Sequence, residues 1–303
     1  MDPTGSALVT GASRGIGRAV AIELANRGFE TVATMRSPSR AGDLLGETKG
    51  RLKVERLDVT DPGTYELPAD LRVLVNNAGI DTDYLPVEHG DLDDWRKLFE
   101  TNVLGTVGLT MAAIPTLRAN RPSVVCNITS SSILACVPFY SAYRATKAAI
   151  SAFGDSLRVE VSSSGIRVVE IMPGPVDTDM FRLSTGELAA NRFERYRPMA
   201  DASTKLRKEA ADPMVAAPTD AAIRIVDAIL DDGGPMRYGC DPLSVGLLDL
   251  WRQSDDETIF TLTGQSVIDL TGSARTTGGG PPSPPAPAPT PPPPATPRPT
   301  TGT

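Results

Sequence analysis

Histidine and cysteine are scarce in this sequence, and long apolar runs are absent. The single histidine, His89, excludes a metal site built from several histidines and argues against a Ser-His-Asp triad, so we expect no metal. The three cysteines stand far apart, without the spacing of metal ligands, at Cys126, Cys136 and Cys240; this favours reduced thiols in a cytoplasmic protein. No run of about 18 apolar residues occurs, and the first residues lack the basic and apolar segments of a secretion signal. We therefore expect no membrane span.

Basic clusters are also missing. The net charge is −7, and no stretch gathers enough lysine and arginine to form a nucleic-acid surface, so nucleic acid is not expected as a partner. Hydrophobic residues (40%) and charged residues (22%) are present in ordinary amounts over 303 positions. A chain of this length and composition can build one α/β domain of about 250 residues with extensions, or two small domains.

A glycine-rich turn lies near the N-terminus, between a strand pattern and a helix pattern. Residues 10–17 read TGASRGIG; an apolar run precedes them at 7–9, and apolar residues at helical spacing follow until Gly28. Strand, glycine turn and helix in this order direct backbone N–H groups and a helix N-terminus toward a phosphate. Glycine is required where a Cβ would block the pyrophosphate or strain the backbone. The motif predicts phosphate binding; the alternative is a plain tight turn.

Strand and helix patterns alternate along most of the chain. Apolar strands are predicted at residues 30–35, 53–57, 71–75, 123–128 and 166–172, with a last short strand at 236–240. Helices are predicted at about 91–114, where Pro115 should end the helix, at 141–162, and from a cap at Thr219 to about residue 230. Repeated βα units with nearly all-apolar strands predict one doubly wound parallel sheet, a Rossmann-type α/β fold.

Two segments depart from this alternation. Residues 177–218 are charged and irregular with scattered apolar anchors, and a segment of this length inside an α/β domain predicts a substrate lid. In the C-terminal segment, 12 of the 27 prolines fall between positions 281 and 299. Such a composition cannot build a core, so we predict a domain over residues 1–272 and a disordered tail over 273–303. A proline-motif ligand is the other interpretation of the tail.

Several motifs together resemble the short-chain dehydrogenase/reductase superfamily in its compact single-domain form. They are TGASRGIG at 10–17, NNAG at 76–79, YRATK at 143–147 and PG at 173–174, and they stand in that family's order and spacing across roughly residues 5–270. The resemblance implies hydride transfer between NAD(P) and an alcohol or carbonyl group. It also implies a homodimer or homotetramer, assembled through the long helices around Asn102 and Tyr143.

Tyr143 and Lys147 carry the chemistry that this resemblance implies. They are four residues apart on a predicted helix, so both side chains lie on one face. A nearby ammonium favours the phenolate and should lower the pKa of tyrosine from about 10, so that Tyr143 acts as acid and base. The serine that binds the substrate oxygen is ambiguous among Ser130, Ser131 and Ser132; the family spacing of thirteen residues before the tyrosine selects Ser130. In the family, the asparagine matching Asn102 holds a water that links the lysine to solvent.

The sequence also indicates which nicotinamide cofactor is bound. The second strand ends without a carboxylate to accept a bond from a ribose 2′-OH, and Arg14 and Arg36 stand where they can meet a 2′-phosphate. We therefore predict NADP(H) rather than NAD(H). The other cofactor contacts that the resemblance implies are Gly11, Ser13, Gly15, Ile16 and Gly17, then Asp58, Val59, Asn76, Ala78 and Gly79, then Pro173, Gly174, Val176 and Thr178, together with Tyr143 and Lys147.

The substrate is predicted only as a class. Methionines, phenylalanines and a tyrosine in residues 177–218 favour a medium-sized, largely apolar ketone or secondary alcohol. Two alternatives stay open: a protein that senses NADP(H) or acts as a scaffold without turnover, and an epimerase or dehydratase of the larger superfamily type. The complete set Asn102, Ser130, Tyr143 and Lys147 disfavours the first. The glycine spacing and short C-terminal region disfavour the second.

Overall fold

A seven-stranded parallel sheet runs through residues 1–48 and 50–271, the part of the chain that this computed structural model describes. The strands are β1 (Ser6–Val9), β2 (Glu30–Met35), β3 (Leu52–Arg56), β4 (Leu71–Asn76), β5 (Ser123–Ile128), β6 (Ile166–Ile171) and β7 (Arg237–Tyr238). Their order in the sheet is β3-β2-β1-β4-β5-β6-β7. The chain moves outward from β1 through β3 and then returns to place β4 against the other side of β1. This confirms the doubly wound fold and puts its switch point between β1 and β4.

Helices cover both faces of the sheet and the end where the strands stop. They are α1 (Gly15–Arg27), α2 (Leu92–Phe99), α3 (Gly105–Ala119), α4 (Ser141–Val161), α5 (Asp179–Thr185), α6 (Arg197–Ala211), α7 (Pro218–Leu230), α8 (Pro242–Gln253), α9 (Asp256–Phe260) and α10 (Ser266–Leu270). Two π-helical turns, Glu100–Leu104 and Thr261–Gln265, join α2 to α3 and α9 to α10. None of the helices in the described ranges is both long and apolar enough to cross a membrane.

The core is split between the two faces of the sheet. Val9 contributes to one hydrophobic cluster together with residues of α1 and α7, and its neighbour Leu8 contributes to the other with residues of α3 and α4. Both side chains are fully buried. Successive strand residues point to opposite faces, so a strand covered on both sides is expected to be mostly apolar.

Three local predictions differ from the structure. Pro115 lies inside α3 instead of ending it; it is on the exposed side of that helix, where water can satisfy the carbonyl that loses its partner. Thr219 is not the cap of α7, because the helix begins one residue earlier at Pro218, whose missing N–H suits the first turn. The irregular segment at 177–218 is largely helical, since α5 and α6 lie within it.

Residues 1–271 belong to one unit, Met1–Gly272, by the pattern of their internal contacts. The proline-rich tail predicted at 273–303 lies outside the described residues.

Candidate active site

The glycine turn joins β1 to α1 at the switch point of the sheet. Gly11 and Gly15 have φ angles of +66° and +58°, in the left-handed region that favours glycine. Gly17 is needed for another reason: a Cβ there would lie 2.3 Å from Nδ2 of Asn77 and 2.6 Å from the carbonyl oxygen of Gly11. The first two glycines thus shape the turn, and the third lets the helix pack against the neighbouring loop.

The loop after β4 is tied to this turn by hydrogen bonds. The Thr10 hydroxyl accepts from the backbone N–H groups of Asn77 and Ala78, each at 2.9 Å, and the Asn77 side chain donates to the carbonyl of Thr10 at 2.8 Å. Asn76, in contrast, is buried and donates to Thr110 and Asn127, each at 2.9 Å. Its side chain therefore faces the protein interior instead of the groove. Asn77 lines the groove in its place.

Arginines rather than carboxylates stand beyond β2. Arg36 follows the strand, is exposed, and lines the groove together with Arg40, which the sequence analysis did not single out. Arg14 is 71% exposed and forms an ion pair with Asp179 of α5 at 3.1 Å. A pair this exposed contributes about 1 kcal/mol or less, so the Arg14 guanidinium can exchange it for a phosphate at little cost.

Asp58 and Val59 line the same end of the groove. Burial opposes ionisation of Asp58, but hydrogen bonds from the Thr60 backbone and hydroxyl outweigh it and hold the pKa of that carboxyl below its ordinary value. Val59 is buried against Gly105, where a Cβ would come within 2.8 Å of the valine side chain. The wall of the groove at this point is therefore set by close packing on the start of α3.

Ser130, Tyr143 and Lys147 come together in the middle of the groove. Ser130 faces Tyr143 and acts to lower the pKa of the tyrosine, and the Ser130 hydroxyl accepts from the backbone N–H of Ser132 at 3.2 Å. Lys147 is buried, donates to the carbonyl of Ile128 at 3.0 Å, and has its Nζ 5.7 Å from the centre of the Tyr143 ring. Ser131 and Ser132 also line the groove, and the buried Ser132 hydroxyl has no hydrogen-bond partner within residues 1–48 and 50–271.

The ionisation of this cluster is dominated by burial. Burial raises the pKa of Tyr143, the Asp81 carboxylate adds to that rise, and Ser130 opposes it. Burial lowers the pKa of Lys147 to about 8, against the opposing attraction of Asp81. The expected lowering of the Tyr143 pKa by Lys147 is therefore wrong for this structure: both groups are desolvated, and the ammonium lies too far from the ring to reverse the effect of burial.

Asn102 lies in the π-helical turn between α2 and α3. Its side chain accepts from the N–H of Ile80 at 2.8 Å and donates to the carbonyl of Ile80 at 2.9 Å and to the hydroxyl of Thr146 at 3.2 Å. It is only 2% exposed and does not line the groove. Asn102 thus fixes the loop beside Gly79 and the turn of α4 that carries Lys147. π turns of this kind are frequent at functional sites.

The loop after β6 closes the far side of the groove with Pro173, Gly174, Val176 and Thr178. The N–H of Gly174 donates to the buried Asp241 carboxylate at 2.6 Å, and Asp241 in turn caps α8. The Thr178 side chain caps α5 and lies close to Gly15, where a Cβ would come within 3.2 Å of it. Asp241 was not identified from the sequence, although an aspartate before a proline is a recognisable helix start.

The groove that these residues form has a volume of about 720 Å³, within the range of cavities that hold small molecules. Of the predicted site residues, all but Asn76 and Asn102 line it; those that do are Gly11, Ser13, Arg14, Gly15, Ile16, Gly17, Arg36, Asp58, Val59, Ala78, Gly79, Ser130, Tyr143, Lys147, Pro173, Gly174, Val176 and Thr178. Asp81 and Arg207 line it without having been predicted. Among the described residues, no three histidine, cysteine, aspartate or glutamate side chains are grouped as a metal would require.

Comparison with known proteins gives a consistent result. The family model described as short chain dehydrogenase matches residues 6–188. Sulfoacetaldehyde reductase 2 of Chromohalobacter salexigens is 34% identical over 201 residues, which are 63% of this chain and 80% of the relative. The crystal structure of a short-chain dehydrogenase from Streptomyces avermitilis has a TM-score of 0.67 at 30% identity, over 86% of this chain and 96% of that one. A short chain dehydrogenase from Burkholderia cenocepacia in complex with NADP has the same TM-score at 22% identity, over 86% and 98% of the two chains; this likeness shows the fold.

Proposed function

Because this chain belongs to the short-chain dehydrogenase/reductase family, and so to the NAD(P)-dependent oxidoreductases that act on CH–OH and carbonyl groups, we propose that it transfers a hydride between NADP(H) and a ketone or secondary alcohol. Tyr143 serves as the acid and base of this reaction. The observation that carries the proposal is that Ser130, Tyr143 and the buried Lys147 line one groove, which the glycine turn opens.

The three side chains have distinct roles in this scheme. Tyr143 donates its proton to the carbonyl oxygen during reduction and removes it during oxidation; its raised pKa keeps it protonated, as reduction requires. Ser130 hydrogen-bonds the same oxygen and stabilises the charge that develops on it. Lys147 holds a positive charge next to Tyr143 when protonated. A bound nicotinamide supplies the hydride in one direction and accepts it in the other.

Asn102 acts behind these groups. Its side chain bonds both backbone groups of Ile80 and the hydroxyl of Thr146, one residue before Lys147. We assign it to positioning Lys147 and the loop at Gly79, with the water relay known from the family as its further role.

The cofactor fits the groove at three points. Gly11 and Gly15 form a cradle with positive φ angles, which presents backbone N–H groups to a pyrophosphate. Arg14 within this turn and Arg36 after β2 both line the groove, and no carboxylate follows β2 to repel a 2′-phosphate. Lys147, which is buried beside Gly79, can donate a hydrogen bond to a sugar hydroxyl of the cofactor. We therefore assign NADP(H) as the cofactor, in preference to NAD(H).

Apolar and aromatic side chains surround the reacting end of the groove. Met180, Phe181, Tyr84 and Leu247 line it, and Tyr84 stacks on Tyr140 with ring centres 4.1 Å apart. This lining supports a medium-sized substrate with an apolar body.

A homodimer or homotetramer is proposed through α3 and α4. Leu104, the last residue of the π turn before α3, and Met111 of α3 lie seven residues, or about two helical turns, apart and are 57% and 69% exposed. Val159 of α4 is 77% exposed. Large apolar side chains on one helical face indicate a partner surface. The three cysteines are free, which favours a cytoplasmic location for this protein because thiols stay reduced there.

The test is NADPH oxidation with a panel of aryl, alicyclic and acyclic ketones, compared between wild type, Y143F and Y196F. Tyr196 is a matched control because its hydroxyl bonds Glu88 away from the groove. We expect turnover by wild type and Y196F, and none by Y143F although it binds NADPH. NADPH binding with no turnover of any ketone would favour the scaffold alternative, and full activity of Y143F would remove Tyr143 from the mechanism.

A further inference from the structure

Arg207 enters the groove from α6 with part of its charge unpartnered. The guanidinium carbon lies 4.9 Å from the centre of the Tyr140 ring, and the side chain lines the groove. Its Nη1 atom is buried and has no hydrogen-bond partner among the described residues. Neighbouring cations on α6 differ, since Lys205 pairs with Glu209 on the surface.

A buried donor without an acceptor is unfavourable, and more so when it carries charge. Asp81 is the carboxylate that faces Arg207 in the groove, yet the two do not form an ion pair. The Asp81 carboxylate instead accepts from the Tyr84 hydroxyl and from the N–H of Thr82. Because the Arg207 side chain lines the groove and forms no ion pair with Asp81, a ligand in the groove can supply the missing acceptor.

The position of Arg207 relates it to the reacting atoms. Tyr140, beneath the guanidinium, comes directly before α4 and three residues before Tyr143. Its other contacts are the stacked ring of Tyr84 and the carbonyl of Ser184 on α5, at 3.2 Å. The guanidinium thus lies on the side of the groove where the substrate body is expected, away from the glycine cradle.

We propose that the substrate carries an oxyanionic group, a carboxylate, sulfonate or phosphate, which Arg207 binds while the apolar body packs on the tyrosines. This inference rests on the proposed function, because it assigns the substrate class of the same groove. A planar guanidinium binds such groups through two parallel N–H donors. The apolar lining and the unpartnered guanidinium nitrogen of Arg207 together specify an amphipathic carbonyl compound.

Direct binding tests the inference without any turnover. Calorimetric titrations with benzoate, benzenesulfonate and phenyl phosphate are compared with neutral benzamide, all in the presence of NADP⁺, on wild type, R207Q and K208Q. Lys208 is the matched control because it is the next residue on the same helix and is exposed. For wild type and K208Q we expect at least one of the three anions to bind about 10- to 100-fold more tightly than benzamide, the scale of a charge-assisted hydrogen bond; R207Q should lose this preference.

The preference for an anionic over a neutral compound is then measured in turnover, with acetophenone and its para-carboxylate as substrates. We expect wild type to prefer the carboxylate in kcat/KM and R207Q to lower the ratio of the two values at least tenfold. Benzamide binding as tightly as all three anions to wild type overturns the inference even if R207Q does not fold, and so does an anion preference that survives in R207Q. Anion binding through Arg207 without turnover of either ketone would sustain the site and count against the proposed hydride transfer.

Discussion

Lys147 should set the alkaline limb of the pH profile, and Asp81 should determine where that limb falls. Burial lowers the pKa of Lys147 from its usual 10.5 to about 8, while the Asp81 carboxylate opposes the shift. Tyr143 does not titrate in that range because burial raises its pKa. Loss of the Lys147 charge above pH 8 should therefore lower the rate of ketone reduction.

The free-energy cost of charging Lys147 follows from the size of its pKa shift. A change from 10.5 to about 8 corresponds to roughly 3 kcal/mol against the charged form. Between about pH 8 and 10.5 the folded state then binds fewer protons than the unfolded state. The charged Lys147 therefore lowers the free energy of unfolding by its full amount below about pH 8, and this destabilisation disappears as the pH rises toward 10.5. Removing the Asp81 charge in D81N should lower the Lys147 pKa by about one further unit.

The assay is kcat/KM for NADPH between pH 6 and 10, which reports ionisations of the free enzyme. D83N is the control, because Asp83 lies two residues further along the same loop and pairs with Arg192 at the surface. We expect the inflection near pH 8 in wild type and D83N and near pH 7 in D81N. The pKa of Asp81 is itself raised by burial, so its charge matters most at the alkaline end. An inflection that stays near pH 8 in D81N, or that moves equally in D83N, would refute this reasoning.

Three further predictions follow from the site and its surface. Arg36→Asp should reverse an expected NADPH preference of at least about tenfold, or about 1.4 kcal/mol; equal fluorescence-titration affinities for NADPH and NADH in wild type would contradict it. Ser130→Ala should lower kcat about 10²- to 10³-fold, and a larger loss in Ser131→Ala or Ser132→Ala would reassign the serine. Met111→Glu should dissociate the oligomer, because it puts a charge on the exposed face of α3; an unchanged elution volume in gel filtration would place the interface elsewhere.

The fold was predictable because its signals are local and repeated. The central parallel strands are buried on both faces and are therefore mostly apolar, as in β1 and β5, where every residue is buried. The glycine turn was recognisable for the same reason, since Gly11 and Gly15 adopt backbone angles that other residues avoid. Local predictions failed where the surroundings of a residue determine the structure. Pro115 is an example, because the free-energy cost of a proline inside α3 depends on whether that face of the helix is exposed.

The orientation of polar side chains was less predictable. Asn76 and Asn77 are adjacent in one motif, yet the strand pleat sends one side chain into the interior and leaves the other beside Gly17. Asp241 gave a helix-start signal, but its bond to Gly174, 67 positions away in the sequence, gave none. Arg207 lies among charged residues of a surface helix, and only the tertiary structure shows that one of its nitrogen atoms is buried.

The largest difference between the sequence prediction and the structure concerns the pKa values of Tyr143 and Lys147. Their spacing of four residues correctly places both on one face of α4, but spacing contains no information about desolvation. Burial acts on the two groups in opposite directions and drives both toward their neutral forms. A buried tyrosine that holds its proton is suited to donate it to a carbonyl, whereas accepting a proton from an alcohol requires an additional positive charge nearby. We therefore expect ketone reduction to proceed at neutral pH and alcohol oxidation to require a higher pH, and equal pH profiles for the two directions would contradict this expectation.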